Sequence, residues 1–454
     1  MYFLYSLLLG VGVVALLPRF LFDAARHGKY AAGLRERAGD VPEIDAGGRP
    51  VVWLHCVSVG ETQAARPLAQ AVLDNFPNHA LVVSTTTLTG QRVARVAFDS
   101  TALRVFYFPF DWAWSVRRAL RAINPSAVLV METELWPRFL RECRARRVPV
   151  ALVNGRISEK SFRRYLRIRP FIRRVVGDLS LAIMQTDADA ARIRALGLAP
   201  ERVRVAGNIK FDAGDEPGAE PLTRQLRRRF DFDGERPLVV AASTHAPEER
   251  IIIEAFKRVK KSLRNDGARL LIAPRHPERF PEVASLLDAS GLRWARRSAP
   301  DKGDDARSDV VLLDTIGELR AVYPLAEIVF VGGSIARKGG HNVLEPAASA
   351  RCIVTGAHTF NFTSIVRSFL EQDALVQLPA VDEAEAPEVL AQALLDLLAD
   401  DARRLSTGAR ARAALEQSRG ATARTIEMLA PILEQKSDVK GPMPVKRESL
   451  TSGL

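Results

Sequence analysis

Residues 51–62 read VVWLHCVSVGET. The apolar run Val51–Val57 is short, continuous and followed by a glycine turn, the pattern of a strand buried on both faces. Glu61 stands at the start of the stretch that follows, Thr62–Asn75, whose apolar spacing is helical. A strand passing through a tight turn into a helix is the unit from which parallel sheets are built, and the chain repeats it. Ala80–Thr85, Leu103–Phe108, Ala127–Met131, Pro149–Val153 and Leu179–Gln185 read as further buried strands, with helical patterns such as Trp112–Ile123 between them. Such alternation predicts a parallel sheet with helices on both faces.

A charged stretch bearing glycine and proline runs from Asp212 to Pro237, and then the pattern restarts. Leu238–Ala242, Ala268–Ala273, Val310–Leu313, Ile328–Gly332 and Cys352–Thr355 read as a second set of strands. The expected fold is therefore α/β, with two doubly wound, Rossmann-like domains facing a cleft at the carboxyl ends of their strands. The expected boundaries are a membrane anchor over 1–22, a first domain over 35–211 and a linker over 212–236. A second domain follows over 237–434, then a polar, disordered tail over 435–454. The length of 454 residues suits two domains.

The composition is globular, 47% hydrophobic and 26% charged, and the three cysteines stand far apart without a CxxC pair, which argues against a disulfide framework or a cysteine zinc site. The net charge of +12 suits nucleic acid, an anionic membrane or a phosphorylated substrate. No nucleic-acid-binding signature occurs. The arginines cluster instead at 117–121, 163–174 and 224–229, as solvated helix faces or as a surface for anionic lipid. Tyr2–Leu17 carries no charge, whereas Arg19, Arg26, Lys29, Arg35 and Arg37 all follow it. No basic n-region or small-residue cleavage site marks it as a signal peptide. It reads as an uncleaved anchor with the bulk of the chain on the cytoplasmic side, or as a helix lying in the membrane interface.

On a doubly wound fold the chemistry stands at strand ends. At the start of its helix, Glu61 is kept ionised by the helix dipole, which makes it a candidate general base. An isolated first-turn glutamate would do no more than balance that dipole; the surrounding Ser-Val-Gly-Glu turn at a cleft favours function. Met131-Glu132-Thr133-Glu134 places two acids at another strand-to-helix turn, and Lys210 could pair with one of them or steady a departing phosphate. Ser243-Thr244-His245 and Arg275-His276 end two strands of the second domain, and Arg275 can fork onto a phosphate. Gly332-Gly333-Ser334 and Gly339-Gly340-His341-Asn342 allow close backbone approach, with a helix start expected near Asn342 and Glu345 able to accept ribose hydroxyls. Asp187-Ala188-Asp189 resembles a metal-binding DxD, but helix capping at Thr186 or Asp187 explains it more simply.

Taken in order, HxVSVGE, METELWP, NGRIS, GNIKFD, ASTH, PRHPERF, FVGGS and GGHNxLEPA span Trp53–Ala347. This set resembles the 3-deoxy-D-manno-octulosonic acid (Kdo) transferases of lipopolysaccharide assembly, glycosyltransferase family 30. The resemblance implies a GT-B fold and an inverting transfer from CMP-Kdo to the lipid A precursor lipid IVA, on the cytoplasmic face of the bacterial inner membrane. It implies Glu61 as catalytic base and Glu132 and Lys210 as supports of the transition state. Arg275, His276, Ile316, Gly317, Glu318, Asn342, Val343, Leu344 and Glu345 would bind CMP, with no metal and no cofactor. The implied partners are CMP-Kdo, lipid IVA and anionic membrane lipids, and no nucleic acid. The rival readings are a GT-B transferase using a UDP-sugar, a nucleotide-sugar epimerase of the same fold, and a non-catalytic nucleotide-binding protein.

Overall fold

The computed structural model describes residues 2, 4–12, 15, 33–212, 219–232, 236–263, 267–301 and 303–434. The chain forms two compact units, one of residues up to 213 together with those from 419 onward, the other of residues 214–418. Each holds one seven-stranded sheet, and the recorded strand pairs are all parallel.

In the first unit the strands are β1 (Val51–Cys56), β2 (Ala80–Thr85), β3 (Arg104–Tyr107), β4 (Ala127–Met131), β5 (Val150–Gly155), β6 (Leu181–Met184) and β7 (Val203–Val205). Their order is β3-β2-β1-β4-β5-β6-β7. Strand order therefore reverses between β1 and β4, and in open α/β sheets ligands bind outside the strand ends at such a point. Every residue of β1 is buried. Trp53 packs against Phe106, Phe108 and Phe139 at centroid distances of 5.3, 6.0 and 5.0 Å, while its Nε1 donates to Ser84 Oγ at 2.7 Å. The helix Val59–Asn75 buries Ala64, Ala65, Leu68, Ala69 and Val72 on the other face of the sheet.

The second unit carries β8 (Leu238–Thr244), β9 (Arg269–Pro274), β10 (Trp294–Arg296), β11 (Val310–Leu312), β12 (Ile328–Val331), β13 (Cys352–Thr355) and β14 (Val376–Gln377). The order β10-β11-β9-β8-β12-β13-β14 reverses between β8 and β12. Two parallel-sheet α/β units are thus present, consistent with the GT-B expectation.

Three strands absent from the sequence reading, β7, β10 and β14, lie at or next to sheet edges and have two or three residues each. A run that short has no readable period. The segment expected as a linker contains the helix Glu220–Phe230, which buries Leu226 and Phe230 in the second unit; residues 213–218 and 233–235 lie outside the described residues. The expected second domain ended at 434, but the helix Ala421–Glu434 belongs to the first unit. Its Ala421, Ile426, Leu429 and Leu433 join the core with Val52, Leu54 and Leu68. Asp212 fixes the helix start by accepting the Gly420 and Thr422 amides at 2.7 and 2.5 Å. Apolar spacing marks the face that a helix buries, not which sheet will cover it.

Among the described residues no helix is long and apolar enough to cross a membrane. Residues 4–12 are helical, while 13, 14 and 16–22 of the expected anchor, like the expected tail 435–454, lie outside the described residues. The N-terminal helix is tied to the first unit by Tyr2 to Asp178 at 2.7 Å, Tyr5 to Asp111 at 2.8 Å and Arg138 Nε to Ser6 Oγ at 2.7 Å.

Candidate active site

Glu61 is held by the turn that launches its helix. Ser58 is the N-cap, and its Oγ accepts the Glu61 amide. The Glu61 side chain reaches back in return: Oε2 accepts the Val57 N–H and Oε1 the Ser58 hydroxyl, both at 2.8 Å. This is a capping-box arrangement, which by itself would explain a glutamate here. The neighbours go further than capping requires. Burial pushes the Glu61 carboxyl up; the Val57 amide pulls it down, Glu132 pushes it up, and Ser58 and Lys210 pull it down.

Glu132 follows β4, across the strand-order reversal from Glu61. Its backbone is left-handed at φ 52°, a conformation that costs a non-glycine residue about 1–2 kcal/mol and that clusters at functional sites. Lys210 Nζ donates to Glu132 Oε1 at 2.8 Å, with both side chains 22% exposed. The expected pairing of Lys210 with an acid of this turn is thus present.

The NGRIS segment, quoted in the sequence only as a motif, has a definite job. Asn154, also left-handed at φ 55°, accepts the Ile209 amide on Oδ1 at 3.1 Å, and Asn208 Oδ1 accepts the Lys210 amide at 3.0 Å. These bonds aim the lysine. Thr133 latches the acidic turn to the same segment: its hydroxyl donates to the Arg156 carbonyl and accepts the Arg156 amide. Glu134 is the fourth charged group. Burial, then the charges of Glu61 and Glu132, push its carboxyl from the ordinary 4.5 up to about 7. The sequence placed Glu134 at the turn but gave no sign that it would be half-buried among like charges.

In the second unit the strand ends bring together an arginine and three histidines. His245 follows β8, Arg275 and His276 follow β9, and His341 lies beyond β12. His245 Nε2 and His341 Nε2 are 2.8 Å apart with their rings stacked at 7°, and His276 stands edge-on to His245 at 5.2 Å. The glycine loop differs from expectation. Its amides serve the fully buried Glu248: Oε2 accepts from Gly333 and His245, Oε1 from Ser334, Ile335 and Ala336, all at 2.7–3.0 Å. An internal carboxylate therefore fills this anion nest, where the sequence promised only close backbone approach to a ligand.

The helix expected near Asn342 begins at Leu344 and is five residues long. Asn342 Oδ1 accepts the Leu344 amide at 3.0 Å, and its Nδ2 donates to Glu345 Oε1 at 3.1 Å. Val343 and Leu344 are buried. After β11, Ile316 is 80% exposed, Gly317 is left-handed at φ 86°, and Glu318 accepts a fork from Arg297 at 2.9 and 3.2 Å. The DxD segment caps its helix: Thr186 accepts the Asp189 amide, and Asp189 accepts the Ile157 amide at 2.8 Å. The structure thus gathers Glu61, Glu132 and Lys210 at one end of the first sheet. It places Arg275, His276, 316–318 and 342–345 after strands of the second.

The sequence model of the family described as "3-Deoxy-D-manno-octulosonic-acid transferase (kdotransferase)" matches residues 32–213. A 3-deoxy-D-manno-octulosonic acid transferase of Haemophilus influenzae is 33% identical, covering 90% of this chain and 93% of that protein. The corresponding enzyme of Bordetella pertussis is 37% identical over 83% of this chain and 86% of its own. Among solved structures, the C-terminal CMP-Kdo binding domain of WaaA from Acinetobacter baumannii is 35% identical, covering 44% of this chain and 98% of that one at a TM-score of 0.39. The UDP-GlcNAc 2-epimerase of Neisseria meningitidis shares the fold at a TM-score of 0.53, with 10% identity over 85% of this chain and all of that one. That last likeness is of fold alone. With two curated relatives matched along most of their length, the chain belongs to the 3-deoxy-D-manno-octulosonic acid transferase family and is a Kdo transferase.

Proposed function

We propose that the enzyme moves Kdo from CMP-Kdo to lipid IVA with inversion, Glu61 acting as the base. The observation that carries this reading is the meeting of Glu61, Glu132 and Lys210 at the strand-order reversal of the first sheet. Glu61 takes the proton of an acceptor hydroxyl as its oxygen bonds to the anomeric carbon, while the bond from that carbon to the CMP phosphate breaks. Lys210 pairs with Glu132 and keeps positive charge beside the reacting centre. At the donor end, Arg275 and His276 meet the departing phosphate, so side chains carry its charge in place of a metal ion. Residues 316–318 and 342–345 hold the remainder of CMP.

The acceptor is a lipid, and the N-terminal helix supplies the contact with its membrane. Leu4, Leu7, Leu8 and Val11 are between 53% and 61% exposed, at the i, i+3, i+4, i+7 spacing of one helix face. The bonds of Tyr2, Tyr5 and Ser6 bind the helix to the first unit, so it lies in the interface plane with its leucines in the acyl boundary. Phe171 of the neighbouring basic helix Arg169–Val176 packs on Tyr2 and Tyr5, which brings arginines close to this helix for anionic lipid.

Incubation with CMP-Kdo and lipid IVA, followed by mass measurement of the lipid, tests donor and acceptor together. A lipid of unchanged mass would sink the reading. Glu61→Ala is expected to make no product while still binding CMP; full transfer by that variant would remove Glu61 from the role of base.

A further inference from the structure

Two imidazoles whose Nε2 atoms are 2.8 Å apart share one hydrogen. In the neutral pair one Nε2 donates and the other accepts, so the two rings hold opposite tautomers and only one Nδ1 carries hydrogen. A proton from solvent can settle on the bare Nδ1 without breaking the Nε2–H···Nε2 bond. The pair then bears one positive charge, and both Nδ1 atoms become donors.

The surroundings oppose that charge in the free protein. His245 is faced by His276, Lys338, Arg275 and Arg279, and His341 by His245, Arg275 and His276. Burial first, and then these cations, push both imidazoles down to about 4. Among the described residues the neighbouring carboxylates already have partners of their own. Glu248 spends both oxygens on backbone amides, and Glu249 is taken by Arg279 and Thr244. Arg275 and Lys338 make no ion pair among the described residues. Gly333 lies flat against the pair: a Cβ there would meet His341 Cδ2 at 3.0 Å and His245 Cδ2 at 3.5 Å. The two histidines follow β8 and β12, the strands flanking the order reversal of the second sheet, where a ligand is expected.

We infer that His245 and His341 act as one unit that takes up a proton when the donor's phosphate binds, supplying the charge and the second Nδ1–H that hold it. The inference rests on the donor site proposed above. An anion among Arg275, His276 and Lys338 offsets the cations that, with burial, hold the pair neutral, so binding and proton uptake are linked. Once the phosphate departs with its nucleotide the proton returns to solvent.

Cytidine 5′-(methyl phosphate) is the probe, because its single diester charge does not titrate between pH 5 and 7. Calorimetric titration of the full chain is expected to show affinity falling as pH rises, approaching about tenfold per pH unit for one full proton. Buffers of differing ionisation enthalpy should report matching proton uptake. His245→Gln and His341→Gln each flatten the pH dependence. Binding that is independent of pH overturns the pair while the donor site stands. A pH dependence lost only in His276→Gln assigns the proton to His276 and overturns it too. No binding at any pH sinks both the donor site and the inference. Should the variants fail to fold, nitrogen spectra of ¹⁵N-histidine-labelled wild type still decide, since one ring must become imidazolium on binding; rings that stay neutral refute the proposal.

Discussion

Glu134→Gln removes one of three carboxylates from the end of the first sheet and keeps its shape. Burial and the charges of Glu61 and Glu132 lift the Glu134 carboxyl from 4.5 to about 7. At 1.36 kcal/mol per pH unit that difference amounts to about 3 kcal/mol; the side chain partly meets water, and screening reduces it to about 2 kcal/mol. The sign follows from linkage. A carboxyl whose folded value is raised binds its proton more tightly in the folded state, so its contribution is intact below pH 4.5 and is lost as pH climbs to about 7. Glutamine cannot ionise. The variant should match the wild type near pH 4.5 and exceed it at pH 8 by about 2 kcal/mol, or about 4–8 °C in Tm for a unit of this size. Tryptophan fluorescence suits the measurement, because Trp53, Trp112, Trp114 and Trp136 lie in the first unit and only Trp294 in the second. Equal melting from pH 5 to 8, or a variant less stable at pH 8, refutes the idea of a strained carboxylate cluster.

Lys210→Met strips Glu132 of its partner and leaves three carboxylates without that cation; the acid limb of the pH–rate profile should move up by about one pH unit as Glu61 becomes harder to ionise. An unmoved limb would separate Lys210 from the base. Glu248→Gln turns an amide NH2 toward the amides of residues 333–336, and should destabilise the second unit by about 3 kcal/mol, read from Trp294 fluorescence in denaturant. Paired Leu4→Glu and Leu8→Glu substitutions should abolish flotation with vesicles of anionic lipid while transfer to detergent-dispersed lipid IVA survives; undiminished flotation would remove the helix from the membrane contact.

The apolar runs themselves determined the two parallel sheets. A strand buried on both faces has to be apolar throughout, so β1, β4, β8 and β12 announce themselves in composition. Glycine turns and first-turn acids are local features too, and they place Glu61 and Glu132 at strand ends, as the ends of apolar runs place Arg275 and His276. The short edge strands β7, β10 and β14 were invisible because two or three residues carry no period. Which partner an element finds was equally hidden. The helix Ala421–Glu434 shows its buried face in its spacing, yet only packing assigns it to the first unit. The glycine loop shows its backbone freedom, yet only the fold reveals Glu248 already seated on its amides. The same holds for the charges. The position of Glu61 at a helix start was legible in the sequence, because a strand, a glycine turn and a helical pattern are local features. Tertiary structure decided that Lys210 meets Glu132, that Glu134 is half-buried beside both acids and that His245 meets His341 across 96 residues. Proximity between remote side chains, and the desolvation that shifts their protons, exist only once the chain has closed on itself.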